Sequence, residues 1–89
     1  MQIVISKRAA KFMQSINDPE KSNVLDRIRI LFEALSNKDI LKLQQFDIKN
    51  LKVNWKGYQR MRLGNIRILF MIKADELIIE EINFRGNLY

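Results

Sequence analysis

The stretch YQRMRLGNIRILFMIKADELIIEEINF, residues 58–84, decides the fold. Apolar and polar residues alternate through it with a period of two, the spacing of strands that bury one face. It divides into three strands, 58–63, 66–73 and 77–84. Gly64-Asn65 makes the first turn, and a glycine leading a two-residue loop suits a type II′ hairpin. Ala74-Asp75-Glu76 is the second connection. The result is an antiparallel meander.

Side chains on a strand point alternately to opposite faces, so Met61, Leu63, Ile66, Ile68, Phe70, Ile72, Ile78, Ile82 and Phe84 share the buried side. Arg60, Arg62, Arg67 and Arg85 have the other parity. A two-residue first loop sets Leu63 opposite Ile66 and Arg62 opposite Arg67. For both sets to stay in phase the second loop must hold an odd number of residues, and three fits. Glu80 departs from the scheme, because it falls on the buried parity between Ile78 and Ile82. It calls for a rim position or a salt bridge to a helix arginine.

Upstream of the meander the period changes. Residues 2–5 read as a short first strand carrying Ile3, Val4 and Ile5. Ser6 offers a helix cap, and Ala9, Phe12, Met13 and Ile16 recur at helical spacing over residues 7–16. Asp18-Pro19-Glu20 starts a second helix that runs to Ser36, with Val24, Leu25, Ile28, Leu31, Phe32 and Leu35 as its apolar stripe. Between Asn37 and Asn54 neither period persists, so this segment reads as a loop with an irregular apolar anchor. Its lysines Lys38, Lys42, Lys49 and Lys52 read first as a solvated face.

The element order is β-α-α-β-β-β: an α+β fold with two N-terminal helices packed on one face of an antiparallel sheet, the other face left open. At 89 residues the chain is one domain, residues 1–89. It holds no cysteine and no histidine, which removes disulfides, thiolate nucleophiles, imidazole acid-base chemistry and the common zinc sets. Any metal site would be built from carboxylates, and no metal or cofactor is expected. The N-terminal apolar run is too short for a signal peptide or a membrane span, so a cytoplasmic protein with no membrane partner is expected.

Sixteen Lys and Arg against ten Asp and Glu give a net charge of +6, which favours nucleic acid or an acidic protein as partner. The placement of the arginines narrows this. Like charges directly opposite on neighbouring strands are unfavourable by roughly 0.2–1 kcal/mol, and a sequence shaped for stability alone would avoid them. One resolution is that each arginine bends away to a carboxylate such as Glu81 or to the C-terminus. The other is a phosphate, which guanidinium forks grip at two points while staying charged at any working pH. RNA is then the expected polyanion, with Tyr58 sharing the parity of Arg60 to stack on a base. Lys52 and Lys56 flank it as further RNA contacts, while Tyr58 and Trp55 alternatively cap the edge of the core.

The string from Tyr58 through Arg60, Arg62, Gly64 and Arg67 to Phe70, followed by residues 78–89 with Arg85 and Tyr89, resembles the RelE/ParE toxin superfamily, and the upstream helices extend the resemblance over nearly the whole chain. It implies a RelE-like, microbial ribonuclease-like sandwich and, in the RelE branch, a type II toxin that cleaves messenger RNA in the ribosomal A site. Arg60 and Arg62 fall where that branch keeps two basic residues before the hairpin. Arg67 matches the arginine after the turn, Arg85 the one after the last strand, and Tyr89 the tyrosine close behind it. The implied chemistry is metal-free attack of a ribose 2′-hydroxyl on its own 3′ phosphate. The implied partners are a RelB-like antitoxin, whose helices or extended tail cover the arginine face or the sheet edge, the ribosome with its message, and operator DNA only together with the antitoxin. Two alternatives stay open: a ParE-like inhibitor of DNA gyrase, and a basic RNA-binding module without catalysis.

Overall fold

Gly64 sits at φ +59° while Asn65 does not take a positive φ, which is the backbone pattern of the expected two-residue turn. On its two sides Leu63 pairs with Ile66, Arg62 with Arg67 and Met61 with Ile68. The computed structural model describes residues 1–52 and 56–84. Along them run β1 (Gln2–Ile5), α1 (Lys7–Ser15), α2 (Glu20–Ser36), α3 (Ile40–Leu43), β2 (Ile48–Asn50), β3 (Gln59–Leu63), β4 (Ile66–Lys73) and β5 (Glu76–Phe84). The strands form one sheet in the order β1-β5-β4-β3-β2.

The sheet differs from the expected one in three respects. It is mixed, because β1 runs parallel to β5, with Ile3 beside Leu77 and Ile5 beside Ile79. The segment expected to be a loop contains α3 and β2, and β2 extends the antiparallel part by pairing Ile48 with Met61 and Lys49 with Arg60. These elements are four and three residues long, too short for either period to show.

The third difference is in the last hairpin. Its loop holds two residues, not three: Lys73 pairs with Glu76 across Ala74-Asp75, and Ala74 takes φ +54°. The odd residue needed for phase lies inside β5 instead. The register shifts where Leu69 faces Glu81 and Phe70 faces Ile79, so Glu80 is the extra residue of a β-bulge. The bulge moves Leu77 and Ile79 into the core in place of the expected Ile78, and returns Ile82 to it further along. Ile72, also expected inside, is 42% exposed. Glu80 therefore never occupies a core position, and its carbonyl accepts the Ser6 hydroxyl at 2.6 Å.

The same hydroxyl oxygen accepts the Ala9 N–H at 3.0 Å, so Ser6 caps α1 while tying it to the bulge. α1 and α2 bring Ala9, Met13, Ile16, Val24, Ile28 and Leu31 onto Met61, Ile66, Ile68, Phe70, Leu77, Ile79 and Ile82. Phe12 meets Phe84 edge to face at 5.3 Å. Leu25, expected in the α2 stripe, is exposed. At the start of α2, Asp18 accepts both the N–H and the hydroxyl of Ser22, and chiefly the hydroxyl bond lowers its carboxyl pKa. Among the described residues no helix is long and apolar enough to cross a membrane.

Candidate active site

The sheet face away from α1 and α2 is ordered in rows by the register. One row crosses β3, β4 and β5 as Arg62, Arg67 and Asn83, and the next crosses β2 to β5 as Lys49, Arg60, Leu69 and Glu81. Three of the expected arginines thus stand on two adjacent strands. The Arg62 N–H donates to the Asp47 carbonyl at 3.1 Å, so it points toward β2 and away from β4. Arg62 and Arg67 are therefore a non-hydrogen-bonded pair, the kind in which Cα atoms come to about 4.5 Å and side chains are closest.

This face is less open than the sequence implied. Arg60 is 4% exposed and Arg67 7%, and Leu69 between them is fully buried. Arg62 is exposed. Arg60 Nη1 lies 3.3 Å from Asp47 Oδ1, so this arginine does take a carboxylate, one that the parity argument did not name. Glu81, which was named, is engaged at 3.5 Å by Arg8 of α1. The helix-arginine bridge considered for Glu80 belongs to its neighbour. Among the described residues, Glu81 Oε2 and Asn83 Oδ1 are buried without a hydrogen-bond partner, so β5 brings acceptor oxygens alongside the arginines of β3 and β4.

Asp47 is fixed from behind. Phe46 packs against the core with the Arg27 guanidinium 5.5 Å from its ring centroid, a cation-π contact that ties the segment before β2 to α2. Tyr58 is half-buried, and its carbonyl accepts the Leu51 N–H at 3.0 Å. Lys52 and Lys56 are exposed. Arg85 and Tyr89, like Trp55, lie outside the described residues. Sequence reasoning missed Asp47 and set Lys49 aside. The alternation Asp47, Lys49 around Ile48 carried the signal, in a segment only one strand-turn long.

No family model matches the chain. It is 26% identical over 89 residues to toxin RelE3 of Methanocaldococcus jannaschii, covering 100% of this chain and 96% of that one. Its fold is that of the RelB-RelE antitoxin-toxin complex from Methanococcus jannaschii, at TM-score 0.67 and 23% identity over 93% of this chain and 91% of the other. It matches the E. coli DinJ-YafQ toxin-antitoxin complex at TM-score 0.71 and 17% identity, over 98% and 94% of the two chains. In sequence and in fold the likeness is to RelE-like toxins along its full length.

Proposed function

We propose that this RelE-like chain is the toxin of a type II toxin-antitoxin system and acts as a ribosome-dependent endoribonuclease. The observation that carries the reading is the Arg62-Arg67 pair, two arginines set directly opposite each other in the register of β3 and β4. A phosphate held against this pair takes charge-assisted contacts from cations that the sheet has already brought together.

The reaction is attack of the ribose 2′-hydroxyl on the adjacent 3′ phosphorus, with loss of the 5′-oxygen of the next nucleotide. It leaves a cyclic phosphate and a free 5′-hydroxyl, the proton lost by the 2′-hydroxyl being made good on the departing 5′-oxygen by groups of the ribosome, its RNA or solvent. Negative charge grows on the phosphorane oxygens, and fixed cations aimed at it lower the barrier. Arg62, the exposed one, fills that role at the surface, and the buried Arg67 and Arg60 add their charge from the wall of the site. By the family resemblance, Arg85 stands near the leaving oxygen and Tyr89 orients the 2′-hydroxyl. Tyr58, Lys52 and Lys56 hold the flanking nucleotides by stacking and charge. Arginine is too weak an acid to exchange protons at neutral pH, so these roles rest on charge and not on proton transfer.

A RelB-like antitoxin is the partner that silences the site, and with it the pair binds operator DNA. Primer extension on translating ribosomes tests the reading: cuts within codons are expected from the native chain and not from Arg62→Ala or Arg67→Ala. Intact messages together with inhibited DNA supercoiling would replace it with gyrase poisoning. Salt-sensitive RNA binding without a cyclic-phosphate product would replace it with a passive binding module.

A further inference from the structure

We infer that Asp47 is a positioning residue of the arginine site, holding Arg60 in its wall and β3 in register beneath Arg62. The inference rests on the nuclease reading for its consequence but not for its geometry. Asp47 makes two contacts at once. Its carboxylate takes the Arg60 guanidinium at 3.3 Å, and its carbonyl takes the Arg62 N–H at 3.1 Å. A single residue ahead of β2 therefore engages both β3 arginines, one through its side chain and one through its backbone.

The burial is uneven in an informative way. The Arg60 side chain is 5% exposed and the Asp47 side chain 61%. A guanidinium this buried stays charged and requires a partner, and the carboxylate supplies it while itself remaining in water. Arg60 is thus committed: it contributes a fixed positive field and does not swing out to meet a phosphate. Of the three described arginines on this face, Arg62 is the exposed one, placed to close on the substrate. Phe46, packed against the core beneath Arg27, anchors the backbone immediately before Asp47.

Placing a carboxylate on an anion-binding face has a predictable cost. It repels phosphate, so its removal strengthens ground-state binding while releasing Arg60 from its place. A residue needed only for folding would not separate these two quantities. The test uses the full chain with Asp47→Asn, Asp47→Ala and Asp47→Glu. Binding is measured with an oligoribonucleotide carrying a 2′-deoxy sugar at the cut, and single-turnover cleavage is measured on ribosome-bound message. Asp47→Asn and Asp47→Ala are expected to cleave at least tenfold more slowly while binding the non-cleavable RNA as tightly as the native chain or several-fold tighter. Asp47→Glu restores most of the rate. NMR of the Arg60 side chain, expected to show slowed guanidinium rotation in the native chain and fast rotation in Asp47→Ala, reads the brace directly.

Unchanged Arg60 signals in Asp47→Ala overturn the inference, and so do variants that bind and cleave like the native chain. A parallel fall in binding and cleavage also overturns it, since that marks a merely structural role. If the native chain cuts no RNA, the nuclease reading fails by itself. The Arg60 signals and the tightening of oligonucleotide binding then still decide whether Asp47 governs an anion site.

Discussion

The hairpins β3-β4 and β4-β5 share β4 and handle the same requirement in opposite ways. Each must keep one row of side chains in the core across a tight turn. In the first, glycine takes the positive φ, the register runs unbroken from Leu63-Ile66 to Gln59-Phe70, and the irregularity is electrostatic, in the Arg62-Arg67 pair. In the second, the charges at the turn are opposite, Lys73 against Glu76, and the irregularity is geometric: alanine at φ +54° and an extra residue at Glu80. On the proposed reading, function falls to the first hairpin and accommodation to the second. The second bends so that helix α1 can dock through Ser6, while the first stays regular so that its arginines meet.

Deleting Glu80 attacks the contrast most directly. Without the extra residue, either Leu77 and Ile79 or Ile82 and its neighbour must leave the core. At about 1.5–3 kcal/mol for each buried side chain, the loss is about 3–6 kcal/mol. Denaturant unfolding should show the cooperative transition lost or far advanced, and an unchanged midpoint would show that the bulge carries no such role.

The first hairpin should respond in the opposite sense. Arg62→Ala is expected to cut cleavage by about 10²–10³-fold, the range for removing one preorganised charge from a transition state. The same variant should hold its stability or gain up to about 1 kcal/mol as the like-charge pair is relieved. A variant that loses stability and keeps activity would reverse the assignment.

The turns give smaller, opposed effects. Gly64→Ala meets no atom within 4 Å but must place a side chain at φ +59°, and thermal unfolding should register a loss of about 1–2 kcal/mol. Ala74→Gly removes that same penalty in the second hairpin. After the added freedom of the unfolded chain is subtracted, a gain of about 0.5–1 kcal/mol should remain. Equal responses at the two turns would erase the difference between them.

The first hairpin was legible in the sequence down to its register, because Gly64-Asn65 dictates both turn type and loop length, and those fix which residues stand opposite each other. The second was legible only in part. Glu80 on a buried parity was the trace of the bulge, but an extra residue in a strand and an extra residue in a loop give the same downstream phase, so parity could not choose between them. The helices followed from their caps and stripes, whereas α3 and β2 were hidden by their brevity. In the site, the meeting of Arg62 with Arg67 came from local spacing. The pairing of Arg60 with a carboxylate did not, since Asp47 lies thirteen residues back across an unrecognised strand.

The parallel pairing of β1 with β5 bears on the order of events during synthesis. Residues 2–5 are made well before residues 76–79, their hydrogen-bonding partners, which follow 74 positions later in the chain. Until then the first strand has no sheet to join, and α1 lacks the bulge carbonyl that receives Ser6. Such distant pairing delays folding, since the intervening chain must be closed before any contact rewards it. The nascent chain accordingly docks β1 and α1 only after residues 76–79 have been made, whereas the β3-β4 pairing that sets Arg62 opposite Arg67 needs only its local turn.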